Sequence, residues 1–307
     1  MEKERIIIDC DPGHDDAYAL ALAKGLSDRI KTEAIVATYG NQSISRTLTN
    51  ALNLSQALNF DCPVYAGSPS PLIRKRVHAG NIHGETGLDG PVFPECTRFC
   101  RGNGIQAILN IVRENPGEIT FVSLGPMTDL AVCLKADPLF SRDVKRIVVM
   151  GGSMGNGNAT PYAEFNVYAD PEAAQIVYSG KQEIVMFGLD VTRTLEFDEK
   201  QMKRARNLPD SDFKKLFIAS IGYYGNAVMK LNGEYPAMHD PSTIAYLADP
   251  SLFGFERHNI RVELRDEEKY GQTVAGKADE TGNVLAGVRA DKERFWDFFF
   301  ETLSVLQ

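Results

Sequence analysis

Through the first two thirds of the chain, short runs that are apolar at every position alternate with stretches whose apolar residues recur every three or four positions. The first kind reads as strands buried on both faces, the second as helices with one buried stripe. Strands are expected at 4–9 (ERIIID), 32–38, 63–67, 118–125, 144–152 (VKRIVVMGG) and 182–191, and helices at 15–26, 45–58, 104–115, 127–137 and 170–180. That alternation predicts an α/β fold, an open, mostly parallel, doubly wound sheet. The last third changes character. Residues 198–248 read as helices broken by LNGEYPAMHDP, 258–289 as a small extra set of strands with glycine turns, and 291–306 as a closing amphipathic helix. No internal repeat appears, and residues 1–307 read as a single domain.

Three connections are longer than a passive loop requires: 67–103, 151–169 and 222–240. Connections of that length in compact α/β domains are usually binding loops or lids. The first two follow predicted strands, and ligands of open α/β sheets gather beyond the carboxyl ends of the strands.

Composition narrows the partners. The net charge of −8 and pI near 5.3 argue against nucleic acid or an anionic membrane, both of which need a basic surface. Apolar runs such as RIVVM and WDFFF are too short to span a bilayer. MEKERIIID enters a strand almost at once, with no apolar stretch followed by a small-residue cleavage site, so a cytoplasmic protein is expected. The five scattered cysteines, Cys10, Cys62, Cys96, Cys100 and Cys133, make no zinc set and are expected to be reduced thiols.

The candidate chemistry sits at the tip of the first strand. In DCDPGHDD, Asp9, Asp11, Asp15 and Asp16 fall within eight positions. Helix capping accounts for one or two of them. Crowded carboxylates raise one another's pKa and destabilise the fold unless a cation lies among them. An all-oxygen donor set selects a hard ion, Ca²⁺ or Mg²⁺, over zinc. Asn41, Asn158, Glu164, Asn166 and the pair His239–Asp240 add further polar groups at strand ends or in the long connections. None is Lys or Arg, so a phosphate clamp is missing. A neutral polyol fits better, and ribose in particular, whose vicinal hydroxyls can chelate calcium. GGSMGNGN lacks the lysine of a phosphate loop. Two rivals stand beside this reading. One is a phosphatase with Asp9 as nucleophile, whose motif PGHDD does not match. The other is a sugar-binding module without turnover. His14 and His258 read as turn or surface residues rather than ligands.

DCDPGHDD, NIHGETGLDGPVFP, GPMTDLA, VVMGG, GNATPYAEFN, DPEAA, GLDVT and the late HDP occur in this order along nearly the whole chain. In this the sequence resembles the inosine-uridine nucleoside hydrolases, the ribonucleoside N-glycosidases, and among them the bacterial pyrimidine-preferring members. The resemblance implies calcium-dependent hydrolysis of ribonucleosides to ribose and free base in nucleoside salvage, with purine or broad specificity as the alternative. It implies that Asp11 binds calcium and acts as general base, that Asp16 and Asp240 are further ligands, and that Leu124 offers its backbone carbonyl. Asp15 and Asn166 would hold the lower ribose hydroxyls, Glu164 and Asn158 the 5′-hydroxyl, with Asn41 on ribose, Met150 lining the pocket and His83 bordering it. His239 would assist the departing base, Asp9 would stand behind the ligands, and the partners would be the ribonucleoside and further copies in a homodimer or homotetramer. Base contacts fall in 222–239, where Tyr223, Tyr224, Asn226, Asn232 and Tyr235 are candidates, Tyr223 first.

Overall fold

The computed structural model describes residues 2–307, positions 80 and 81 as backbone only. Among the described residues nine strands form one sheet: β1 (Glu4–Cys10), β2 (Ile30–Ala37), β3 (Val64–Ala66), β4 (Ile119–Ser123), β5 (Arg146–Met150), β6 (Ile184–Phe187), β7 (Phe253–Val262), β8 (Thr273–Ala278) and β9 (Val284–Ala290). Their order across the sheet is β3-β2-β1-β4-β5-β6-β9-β7-β8. Every pairing from β3 to β9 is parallel, while β7 runs antiparallel to both β9 and β8. The expected small strand set is thus an extension of the main sheet, joined where Ile184, Val185 and Met186 of β6 pair with Val284, Leu285 and Ala286 of β9.

The apolar runs work as read. Ile6, Ile7 and Ile8 are fully buried. Ile6, Ile8 and Cys10 face a core that includes residues from helices His14–Gly25, Asp212–Asn232, Pro241–Ala248 and Lys292–Leu303. Ile7 faces the opposite core, built with helices Gly104–Glu114, Thr128–Ala136 and Pro171–Tyr178. Successive side chains of a strand point to opposite faces, so one isoleucine run feeds two helical layers.

Two expectations change. Residues 182–191 are not one strand: β6 ends at Phe187 and Leu189–Thr192 is a helical turn. The third long connection does not start at 222, because helix Asp212–Asn232 runs through it and ends at Gly233, which adopts the left-handed φ of 70° common just past a helix end. Phe213, Phe217, Ile221, Tyr224 and Val228 form the buried stripe that carries the helix across Gly222 and Gly225.

Chain direction reverses between β1, which continues to β2, and β4, which continues to β5 on the other side. That switch point opens a crevice at the carboxyl ends of the strands. Asp11, Asn41, Leu124 and Met150 all lie on or just beyond those ends.

Candidate active site

The turn after β1 is held by its own carboxylates. Asp16 Oδ1 accepts from the Asp11 amide at 3.1 Å, and Oδ2 accepts from the Gly13 amide at 2.9 Å and from Asn41 Nδ2 at 3.3 Å. Asp11 Oδ2 accepts from the Asn41 amide at 2.6 Å. Glycines at the ends of β2 and β4 make room for it: a Cβ on Gly40 would lie 2.0 Å from Asp11 Oδ2, and one on Gly125 2.7 Å from Oδ1.

Asp15, Asp16 and Asp240, all buried, bring one oxygen each within 4.8 Å of the others. Asp11 is not in that group, since its carboxylate turns toward the end of β2. The Leu124 carbonyl accepts from Asn166 Nδ2 at 2.6 Å, and the same Nδ2 reaches the Met150 carbonyl at 3.1 Å. Of the implied cation ligands, the structure therefore gathers Asp16 and Asp240, with Asp15 as the third carboxylate. Burial raises all of these acids. Desolvation, then the charge of Asp16, pushes Asp15 up to about 8, and desolvation pushes Asp16 up to about 6. Asp11 and Asp240 lie well above the usual carboxylate range for the same first reason, with the charges of Asp16 and of Asp15 second. Three buried carboxylates with no ion pair to Lys or Arg among the described residues are the donor set a hard cation satisfies.

Asp9 stands behind this group. It is fully buried on the opposite face, beside Asp129, and both its oxygens lack a donor among the described residues.

A cavity of about 310 Å³ opens in front of the carboxylates. Asp11, Asp15, Asn41, His83, Leu124, Met150, Asn158, Glu164, Asn166, His239 and Asp240 all line it. Glu164 accepts from the amides of Gly152, Asn166 and Val167 at 2.8, 2.8 and 3.1 Å, which fixes its carboxylate at the wall. Asn158 is exposed, and its Oδ1 accepts from the Phe165 amide, leaving the amide nitrogen free. His239 Nδ1 lies 2.7 Å from Thr192 Oγ1. Desolvation, then the charge of Arg193, holds its imidazole down at about 4, so it is neutral at pH 7.

Three readings need correction. Tyr223 does not line the cavity: it is half-buried on the flank of its helix, beside Gly90, and its neighbour Tyr224 is the tyrosine in the wall. One cation does border the site, Arg193, whose guanidinium donates to the carbonyls of Asn156 and Gly157 at 3.0 and 2.6 Å. Neither His14 nor His258 is a turn or surface residue: His14 is fully buried, and His258 is buried within β7. The helical spacing of Tyr224 from Phe217 and Val228 was available in the sequence. Nothing local could have placed His14 or Arg193.

A carboxylate-rich crevice at the switch point of a doubly wound sheet is therefore the candidate active site. Residues 6–297 match the model of the family described as inosine-uridine preferring nucleoside hydrolase. The chain is 37% identical over 305 residues to the pyrimidine-specific ribonucleoside hydrolase RihB of Shigella flexneri, and 37% over 303 residues to RihB of Escherichia coli, with 96% of each chain covered. Among solved structures it resembles the plant nucleoside hydrolase PpNRh1, with a TM-score of 0.90, 31% identity and 99% of both chains covered. It also resembles the purine-preferring ribonucleoside hydrolase of Gardnerella vaginalis, with a TM-score of 0.92, 27% identity and 98% of both chains covered. The chain belongs to the inosine-uridine preferring nucleoside hydrolase family. No helix among the described residues is long and apolar enough to cross a membrane.

Proposed function

We propose that this protein hydrolyses the N-glycosidic bond of ribonucleosides to ribose and free base, prefers pyrimidine ribonucleosides, and depends on calcium. The observation that carries this reading is the buried group Asp15, Asp16 and Asp240 beside a cavity whose polar lining includes Asn41, Asn158, Glu164, Asn166 and the neutral His83 and His239. These three residues would hold the cation, with Asp11 and the Leu124 carbonyl at its edge. The bound ion supplies Lewis acidity and offsets the carboxylate charge.

The protein's own groups divide the remaining work. Asp11 is the general base: one oxygen is fixed by the Asn41 amide, and the other can take the proton of the attacking water. Asp15, Asn166 and Glu164, with Asn158 at the rim, hold the ribose hydroxyls and so orient C1′ toward that water. The surrounding carboxylates stabilise positive charge developing on the sugar as the C–N bond breaks. His239 is neutral at pH 7, so it acts as a hydrogen-bond donor rather than as an imidazolium acid. With the Thr192 hydroxyl donating to Nδ1, the ring proton lies on Nε2, from where it can meet the departing base.

The pyrimidine preference rests on likeness to the RihB proteins. We infer a homodimer or homotetramer, for which the exposed Ile73, Val92 and Phe99 offer a partner surface. Ribose release from uridine, cytidine, inosine and adenosine, each with calcium present, tests the reading. Faster turnover of the two pyrimidine ribosides is expected, and faster turnover of inosine would overturn the preference.

A further inference from the structure

Arg193 borders a cavity rich in carboxylates, yet among the described residues it pairs with none of them. Its guanidinium instead spans two successive backbone carbonyls. Nη1 donates to Asn156 at 3.0 Å and Nη2 to Gly157 at 2.6 Å. Both carbonyls belong to the half-exposed lip 154–160, which carries Asn158. Three residues before Arg193, Asp190 Oδ2 accepts from the Met154 amide at 2.8 Å. The turn after β6 therefore takes hold of the lip twice, with an acceptor at 154 and a fork of donors at 156 and 157.

What the fork fixes is the peptide between Gly157 and Asn158. A peptide unit is planar, so its C=O and the N–H that follows move together. The C=O of Gly157 accepts from Arg193, and the N–H of Asn158 donates to the Ala163 carbonyl at 3.1 Å. Among the described residues the Gly157 carbonyl has no other donor. The plane is thus pinned at both edges. Asn158 Oδ1 accepts from the Phe165 amide at 2.8 Å, which aims the side chain and leaves Nδ2 as the free donor at the rim. The backbone alone does not supply this rigidity. A Cβ on Gly157 would lie 2.3 Å from the Ala163 carbonyl oxygen, so the tight turn admits only glycine there, and glycine is the least restrained residue.

We propose that Arg193 is a positioning residue: by bridging the Asn156 and Gly157 carbonyls it holds Asn158 where its side-chain amide meets the 5′-hydroxyl of the ribonucleoside. The part played by Asn158 rests on the proposed function, but the bridge does not. Two donors in a fixed plane suit two neighbouring carbonyls, a match that the point charge of a lysine lacks.

The test compares uridine with 5′-deoxyuridine, which lacks the hydroxyl in question, on the full-length, calcium-loaded protein. Arg193→Met keeps the apolar stem and removes the fork. It should lower kcat/KM on uridine roughly ten- to hundredfold, the loss expected when a positioning group is displaced by about 1 Å. On 5′-deoxyuridine the same change should cost no more than about threefold, since Asn158 then has nothing to hold. Arg193→Lys should fall between the two proteins on uridine. Added to Asn158→Ala, Arg193→Met should cost no more than about threefold further. Both substrates are assayed on one preparation, so any misfolded fraction cancels in their ratio. Equal loss on the two substrates overturns the proposal, because that is what Arg193 would give by acting through its charge on His239 or by touching the base. Full activity of Arg193→Lys, or equal turnover of both substrates by the unmodified protein, overturns it as well. An unmodified protein that cleaves neither substrate would instead overturn the functional reading. Hydrogen exchange without substrate would still decide the bridge: the Asn158 amide should exchange faster in Arg193→Met, and an unchanged rate counts against it.

Discussion

Stripping the cation should make the protein lose stability as pH rises above about 6.5, and reloading it should abolish that dependence. Asp15 is held at about 8 by burial and the Asp16 charge, against an ordinary 3.8. A carboxyl with a raised folded pKa keeps a proton that the unfolded chain has released. Its stabilising contribution is complete below the unfolded value and is lost as pH climbs toward the folded one. Asp11 and Asp240 are shifted the same way. The histidines of the site work with the opposite sign. His14, His83 and His239 are lowered, so the unfolded chain binds the extra protons, and their contribution grows with pH until about 6.5 and is flat above it. The interval from about 6.5 to 8 therefore isolates the carboxylates. Each retained proton there costs about 1.4 kcal/mol per pH unit, so Asp15 alone removes about 2 kcal/mol across it. For a domain of this size that corresponds to roughly 4 °C in Tm. Scanning calorimetry at a series of pH values, in chelator and in excess calcium, should give a falling curve and a flat one. Parallel curves, or a stripped protein that gains stability over this interval, would refute the assignment of the carboxylates as a cation site.

Other consequences are open to direct measurement. Asp240→Asn removes one of the three gathered carboxylates and should weaken calcium binding and activity by roughly a hundredfold. The same change should raise the Tm of the stripped protein, because Asp240 is destabilised by the charges of Asp15 and Asp16. Gly40→Ala would set a Cβ 2.0 Å from Asp11 Oδ2, and should lower kcat on uridine at least about a hundredfold through displacement of the base, while far-ultraviolet circular dichroism stays unchanged. 2′-Deoxyuridine should react roughly 10⁴-fold more slowly than uridine, because the missing hydroxyl leaves a buried polar group of the site unpaired. Comparable kcat/KM values would overturn the assigned sugar orientation.

Much of this was legible in the sequence because the decisive signals are local. The isoleucine run and the turn Pro12–Gly13 fix where β1 ends, and the four aspartates mark the crevice before any contact is known. What escaped depends on distant pairing. His14 is buried because His83, Asp89 and Tyr224, some 70 to 210 positions further on, close over it. The connection expected from 222 is instead helix to Asn232, because the buried stripe from Phe213 to Val228 carries the helix through Gly222 and Gly225. That difference decides which tyrosine meets the substrate, since neighbouring positions on a helix face different directions and only Tyr224 follows the stripe. Arg193 went unseen because the strand expected at 182–191 hid the turn Leu189–Thr192 that swings it to the cavity mouth. The union of β9 with β6 is a long-range register that no local pattern encodes.

The most direct measurement is ribose release from uridine by protein stripped with a chelator and then titrated with calcium. No release is expected from the stripped protein, with recovery as calcium is added, saturating at one ion per chain. Full activity in the stripped protein, or none at saturating calcium, would contradict calcium dependence.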